Sequence, residues 1–566
     1  RLFKYPEKVI SALEADGAPD VIGFSNYIWN RSLSYAFAKA IKARFPKTVV
    51  IFGGPNYPVD GQEQIEFLRS LPAVDFYVIK EGELAHARLI EQIAAGNGNL
   101  EPIKQMLIPS VHAIGADGTP YMSLTTERIR DLTEIPSPYA TGRLDEFFDG
   151  VLLPIVQTNR GCPFSCTFCV EGVSYYNKVY KNSEAKVAKE LDYIGAKMAV
   201  MREKCGRNDL FIADSNFGMY ADDLKTCQEL ARTQRVYQWP EYINVATGKN
   251  KKERVLEAAK LINGALRLSG SVQSLDQGVL ENIKRANISA DSLLELALEA
   301  GEVGANSYSE IILGLPGDSK LAHHRTVRLI MDAGFTNIYL FQLMLLPGTD
   351  MSTPETRKKF AMDTKYRVLP RCYGSYELFG DRLVAAEIEE ICVANSTLSF
   401  EDYIECRRFH LLATIFYNDG IFGTLLELLR RFDLSVYRWM ELLVEAPVDG
   451  GLKDLFEAFN QATRDELWEV REDLEVGIHE DGVIERYLDG LLGNNLLFVH
   501  KTLAITQHAP QLAELARRTI LQCLEEAEYQ DDETVTFIDD ALKYHLLRMS
   551  NLFEQRDKNP SAVLEF

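Results

Sequence analysis

Gln157-Thr-Asn-Arg-Gly-Cys-Pro-Phe-Ser-Cys-Thr-Phe-Cys-Val-Glu171 is the stretch from which the rest of the chain can be read. Cys162, Cys166 and Cys169 fall within one short loop. Thiolate is the ligand that iron-sulfur clusters prefer, and a short loop lets three sulfurs converge on one cube. Three protein ligands leave the fourth iron open for another molecule, as in metal sites that keep a position free for chemistry. A zinc knuckle is the competing reading, but it needs a second ligand pair, and no Cys-x-x-Cys or His-x-x-x-His partner follows. The next cysteine, Cys205, lies beyond a long helical pattern.

Working outward, the segment before the loop alternates short apolar runs with helical spacing: Asp20-Val-Ile-Gly-Phe-Ser25, a helix near Ser32 to Phe45, Thr48-Val-Val-Ile-Phe-Gly-Gly54, and Val74-Asp-Phe-Tyr-Val-Ile79 followed by Glu81-Gly-Glu83 and a helix to about Ala95. This is the pattern of a parallel α/β sheet. Ligands of such sheets gather at the carboxyl ends of the strands, which nominates the turns holding Ser25 and Asn26, Gly53, Gly54 and Pro55, and Glu81. A scaffold α/β domain would show the same strands. Ile108 to Thr125 reads as a hairpin turning at Gly-Ala-Asp-Gly, and Leu132 to Gly150 as a connection.

From Val151 to Gln157 onward, six strand-like runs alternate with amphipathic helices. The others are Asp209–Asp214, Tyr242–Ala246, Leu266–Val272, Ser307–Gly314 and Asn337–Met344. Six such units predict an open β/α barrel, with reactive groups on loops at the carboxyl ends of its strands. Beyond about Lys365 the spacing turns helical, from Glu387–Ala394 and Phe400–Tyr417 through segments reaching Leu552. Leu369-Pro-Arg-Cys-Tyr-Gly374 opens this region and is expected near the barrel mouth. The fold class expected is therefore α/β, with a doubly wound domain at 1–130, a partial (β/α)6 barrel at 131–365 and an α-helical domain at 366–566.

At 566 residues the chain is long enough for about three domains. No apolar run approaches the roughly 20 residues that cross a bilayer, and the start lacks a signal-peptide pattern. Nine cysteines, six of them scattered, do not form a disulfide framework. A reducing, cytoplasmic setting is expected. The net charge of −21 argues against phosphate-backbone binding and hence against nucleic acid as substrate.

The cluster loop, with Phe168 before its last cysteine, resembles the motif of the radical S-adenosylmethionine superfamily. The resemblance covers residues 1 to about 365. It implies a 4Fe-4S cluster on Cys162, Cys166 and Cys169, S-adenosylmethionine as cofactor, hydrogen-atom abstraction by a 5'-deoxyadenosyl radical, and an electron donor such as flavodoxin or ferredoxin. It also places Asp214 and Asn216 near the methionine amino group, although the family usually has a Gly-Gly-Glu-like segment there. Ser271, Gln273, Ser274 and Arg285, the last in the helix that follows, fall to the ribose and carboxylate, and Glu310 to the barrel mouth. The Phe-Gly-Gly-Pro and Glu-Gly-Glu turns before the loop resemble the cobalamin-binding domain of cobalamin-dependent members. No histidine of the chain sits in the Asp-x-His-x-x-Gly motif of the wider cobalamin fold, so either the chain begins after the strand that carries it or the cofactor binds without a histidine ligand, and the lower cobalt ligand stays open. The function implied is class B-like methylation of an unactivated carbon in a small-molecule intermediate. The alternatives are a radical rearrangement, ring contraction, cyclisation or epimerisation, and a non-catalytic corrinoid- or cluster-binding regulator.

Overall fold

The computed structural model describes residues 1–549 apart from Asn97, Lys249, 287–306 and Gln530. Residues 550–552 of the expected helical stretch lie outside the described residues.

The first sheet contains β1 (Val21–Ser25), β2 (Val49–Gly53), β3 (Phe76–Val78), β4 (Val111–Ile114) and β5 (Pro120–Met122), hydrogen-bonded in that order. The first three are parallel, and β4 and β5 run antiparallel as the expected hairpin. Both faces are buried, because alternate side chains of β2 point opposite ways. Val49 and Ile51 pack with Ala85 and Leu89. Val50 and Phe52 pack with Ala38 and Leu68. A doubly wound order was expected, and the observed order corrects it. Each connection moves the chain one strand in the same direction, and the tight β4–β5 turn places its strands side by side, so no reversal occurs among the described strands. The carboxyl ends of β1, β2 and β3 nevertheless share one edge, because parallel strands with helical crossovers must all end on the same side.

After β6 (Ile155–Val156), a short antiparallel pair, β7 (Asn159–Arg160) with β8 (Tyr180–Lys181), closes the base of the cysteine loop. Then come β9 (Asp209–Ile212), β10 (Tyr242–Asn244), β11 (Leu268–Ser269), β12 (Ser307–Leu313) and β13 (Asn337–Gln342). Parallel pairing runs β6 to β9 to β10 and β11 to β12 to β13. A parallel bridge between Ile243 and Leu266 joins the two halves. All six runs read from the sequence therefore form strands, side by side in chain order. Their flanking helices, Glu184–Cys205, Asp223–Tyr237 and Lys252–Leu261, bury Leu191, Leu230 and Ala258 against Leu210, Ile212 and Ile243.

The region beyond 365 departs from the helical expectation at its start. β14 (Asp363–Leu378) and β15 (Asp381–Ala394) form a long antiparallel ribbon, so Glu387–Ala394 is strand. Ile388, Ile391 and Cys392 satisfy helical spacing and strand burial alike. Pairing with β14 decides between the two. Of the Leu369–Gly374 stretch, Leu369–Cys372 bulges between the Val368 and Tyr373 pairings, and the Arg371 N–H donates to the Gly493 carbonyl. It reaches toward the helical region and lines neither large cavity. The ribbon also clasps the first sheet. The buried Glu387 carboxylate accepts the Ser32 and Leu33 N–H groups at 2.8 and 2.9 Å, satisfying the free donors at the start of helix Arg31–Arg44. Leu378 packs with Phe37 and Ile41 of the same helix. The helices from Phe400–Phe416 to Asp532–Met549 follow, and Val327 and Ile330 of helix Lys320–Asp332 enter their core. Among the described residues no helix is long and apolar enough to cross a membrane.

Candidate functional site

The cysteine loop leaves the carboxyl end of β6 and is tied down on several sides. The Cys162 N–H donates to Tyr176 O at 2.9 Å, the Thr167 N–H to Ile283 O at 3.1 Å, and the Met351 N–H to Thr167 O at 2.9 Å. Two glycines permit this path. Gly161 has φ +113°, and a Cβ on it would overlap the Lys178 carbonyl. A Cβ on Gly172 would overlap the Cys166 carbonyl oxygen and crowd its whole peptide. Cys162 and Cys166 are buried, and Cys169 is partly open. Cys205, at the exposed end of helix Glu184–Cys205, stands apart from them.

Two donors face the sulfurs. Asn216 Nδ2 lies 3.3 Å from Cys162 Sγ, and an Arg285 amino group lies 3.8 Å from Cys166 Sγ. An amide and a guanidinium so placed can donate to sulfur that ligates a metal. Arg285 follows helix Gln277–Asn282 rather than lying within it, and its second amino group donates to Ser271 O. Burial pulls the Arg285 pKa down while the Cys166 sulfur holds it up. The thiol donor set, the amide and guanidinium partners and the open space beside Cys169 fit a cluster held at three corners. Among the described residues no three His, Cys, Asp or Glu side chains are grouped as ligands of a single ion.

The three cysteines line a cavity of about 690 Å³, together with Asp214, Ser271, Gln273, Arg285 and Glu310. Five of the residues expected around the cofactor are thus brought to one space. Gln273, with φ +64°, pairs its backbone with β12. Its amide reaches Glu310 Oε2 at 3.5 Å. The other two expected residues serve the frame. Ser274 Oγ accepts the Asp276 N–H at 3.2 Å, and Asn216 is buried against Cys162.

Asp214 touches this cavity, but its oxygens are occupied. They accept the Thr158 N–H at 2.8 Å, the Asn159 N–H at 3.2 Å, Asn159 Nδ2 at 2.8 Å and the Thr158 hydroxyl. Burial pushes its carboxyl up to about 7 against these hydrogen bonds. Asp214 therefore secures the start of the cysteine loop. Asp214→Asn replaces one carboxylate oxygen by an N–H₂ and leaves at least one N–H of Thr158 or Asn159 without its acceptor, at a cost of about 1–3 kcal/mol. A lowered melting temperature together with reduced iron uptake on anaerobic reconstitution is the expected outcome, measured by calorimetry and iron analysis.

A second cavity of about 710 Å³ opens at the carboxyl ends of β1, β2 and β3, where Gly53, Gly54, Pro55 and Glu81 line it as expected. Gly54 has φ +139°, and its missing Cβ would overlap the Asn26 backbone. The floor there is bare backbone, suited to a broad, flat ligand. Ser25 and Asn26 do not line it. Asn26 is fully buried and donates to Asn56 O and the Tyr77 hydroxyl, both at 2.9 Å, and the Ser25 hydroxyl accepts from Asn30. Glu81 is paired within the wall. Its carboxylate accepts the Ile129 N–H at 2.7 Å and pairs with Arg128 at 3.1 Å.

Sequence reasoning missed the residue that joins the two spaces. Glu171, two positions after Cys169, lines both cavities and accepts a hydrogen bond from the Ser215 hydroxyl. Tyr27, Lys80, His86, Arg160 and Tyr176 also line the second cavity, and Tyr308, Tyr339, Phe341 and Arg267 the first. The place of Glu171 beside the last cysteine was its only signal in the sequence. The strand residues carried none beyond period-two alternation.

Comparison with known proteins gives a consistent picture. The family model described as the radical SAM superfamily matches residues 156–330. The cobalamin-dependent radical SAM methyltransferase TokK of Streptomyces tokunonensis is 28% identical over 64% of this chain and 53% of its own length. The 2-(S-pantetheinyl)-carbapenam-3-carboxylate methyltransferase of Streptantibioticus cattleyicolor is 28% identical over 75% of this chain and 61% of its own length. The chain thus spans between half and two thirds of these curated relatives. Among solved structures, the cobalamin-dependent S-adenosylmethionine radical enzyme OxsB shares the fold at a TM-score of 0.51 and 14% identity, covering 96% of this chain and 77% of its own.

Proposed function

Belonging to the cobalamin-dependent branch of the radical S-adenosylmethionine superfamily, this chain, we propose, is a methyltransferase acting on an unreactive carbon of a small-molecule biosynthetic intermediate. The observation that carries the reading is the shared wall at Glu171: the cysteine-lined cavity and the glycine-floored cleft meet at one side chain. When bound, the cluster with S-adenosylmethionine supplies a hydrogen-abstracting radical, and cobalamin supplies the methyl group.

The work left to the chain is holding, orienting and excluding water. Cys162, Cys166 and Cys169 hold the cluster, with Asn216 and Arg285 donating to the first two sulfurs. Ser271, Gln273 and Glu310 present polar groups to S-adenosylmethionine in the same cavity, and Phe164 and Phe168 cover the cysteine side against water. Gly53, Gly54 and Pro55 provide the backbone floor for the corrin in the adjoining cleft. The division of labour assigns 1–130 to cobalamin, 131–365 to radical generation, and 366–566, which holds all but the first residues of the β14–β15 ribbon, to support.

The test uses anaerobic protein reconstituted with iron, sulfide and cobalamin, a reductant, and methyl-deuterated S-adenosylmethionine. Candidate substrates include 2-(S-pantetheinyl)-carbapenam-3-carboxylate. A product heavier by one labelled methyl group, formed together with 5'-deoxyadenosine, is expected. Turnover to an unlabelled product with 5'-deoxyadenosine would replace methylation by rearrangement or cyclisation. Absence of 5'-deoxyadenosine across all candidates would favour a binding protein.

A further inference from the structure

Arg267 stands immediately before β11, at the amino end of that strand. Alternate residues of a strand share a face, and Arg267, Ser269 and Ser271 all line the cysteine cavity, as do Tyr308 of β12 and Tyr339 of β13. The guanidinium carbon lies 4.8 Å from the Tyr308 ring centroid and 5.4 Å from that of Tyr339. Its Nε is buried without a hydrogen-bond partner, and among the described residues the side chain has no ion pair or acceptor.

Lys252 and Glu171 also line this cavity, Glu171 accepting from the Ser215 hydroxyl, and, Arg267 aside, the other three charged side chains of its lining are engaged elsewhere. Glu310 takes the Gln273 amide, Asp214 is held by Thr158 and Asn159, and Arg285 serves Cys166 and Ser271. A guanidinium carries five donors and cannot shed its charge, and a buried donor without a partner costs about 1–3 kcal/mol. Stacking on two tyrosine faces offsets part of that cost, but it satisfies none of the N–H groups.

Resting on the reading of this cavity as the place where the radical is generated, and hence where the substrate must meet it, we propose that Arg267 receives a carboxylate of the substrate, whose apolar body lies along Tyr308 and Tyr339. The planar fork of arginine matches a carboxylate with two parallel hydrogen bonds. One guanidinium, with the Glu310 carboxylate two residues along from Tyr308, suits a single negative charge better than a phosphate dianion. The position also separates two anions. Arg267 lies at the amino end of β11, whereas Ser271, Gln273 and Arg285 lie past its carboxyl end, beside the cysteines. The acid group of the substrate then points away from the cluster loop, and its far end faces the loop.

The test is affinity selection with mass spectrometry on reconstituted protein saturated with S-adenosylmethionine. The probes are carboxylic acids, each paired with its primary amide, with N-acetylproline and 2-(S-pantetheinyl)-carbapenam-3-carboxylate among them. Acids should be retained over their amides. Arg267→Gln should weaken acid binding by about tenfold or more, and Arg267→Lys should weaken it less. Neither variant should change the S-adenosylmethionine affinity or the absorption of the cluster. Equal retention of acids and amides, retention of no acid, preference for phosphate monoesters, or a loss confined to S-adenosylmethionine affinity would each overturn the proposal. Acid selectivity that depends on Arg267 in protein forming no 5'-deoxyadenosine would uphold it and sink the radical reading instead. Methylation with no difference between acid and amide would sink this proposal alone.

Discussion

Cys166→Ser is expected to abolish S-adenosylmethionine cleavage and to strip most of the iron from anaerobically reconstituted protein, while the melting temperature stays close to that of the parent. Cys166 is buried, its carbonyl accepts the Cys169 N–H at 3.1 Å, and its sulfur receives the Arg285 guanidinium. Serine keeps the size and the backbone, so the loop retains its shape. What is lost is the soft thiolate, for which an alkoxide is no substitute at neutral pH. Iron and sulfide analysis with quantification of 5'-deoxyadenosine decides the outcome, and full cleavage in the variant would refute Cys166 as a ligand. Cys205→Ser is the matched control, because Cys205 sits exposed at the end of helix Glu184–Cys205.

Gly172→Ala is expected to be nearly as damaging although no ligand is removed. The new methyl would overlap the Cys166 carbonyl oxygen and press on its peptide carbon and nitrogen. Backbone cannot swing aside as a flexible side chain can, so either the turn Val170–Gly172 or the Cys166 peptide must move. Overpacking of this kind costs about 1–3 kcal/mol, and the displacement falls directly on a cysteine proposed to hold the cluster. Low cluster occupancy, read from the visible absorption after reconstitution, and a melting temperature reduced by several degrees are the expected results. Normal occupancy would show that the loop can take another path. Glu171 lies beside this glycine, so the junction between the two cavities should be disturbed as well.

Much of the architecture was legible because short β-branched and aromatic runs between helical stretches have few other uses. Six of the eight strands from Ile155 to Gln342, all but the short β7–β8 pair, and the three parallel strands of the first sheet lie within the runs read from the sequence. The failures have a common origin. The run from Leu383 to Ala394 has no single period: Leu383, Val384, Ile388, Ile391 and Cys392 can be placed on a helix face or along a strand, and only the partner strand β14 settles the matter. The sheet order of the first domain likewise depends on which edges pair, a long-range property that period and composition do not encode. At the site, the polar residues Ser271, Gln273, Arg285 and Glu310 singled out in the sequence line the cavity beside the cysteines. Asn26, Asn216 and Ser274 are polar at strand ends for a different reason, since they satisfy buried donors and acceptors of the frame.

The sequence alone determined the triad of cysteines on one short loop and the succession of strands and helices around it, because residue spacing and hydrophobic period are local properties of the chain. Only the tertiary structure decided that Glu171 stands between two cavities, that both oxygens of Asp214 are taken by Thr158 and Asn159, and that Arg267 is left without an acceptor among the described residues. Those are statements about which groups meet across strands distant in sequence. Burial and the pairing of polar atoms exist only once the strands have met.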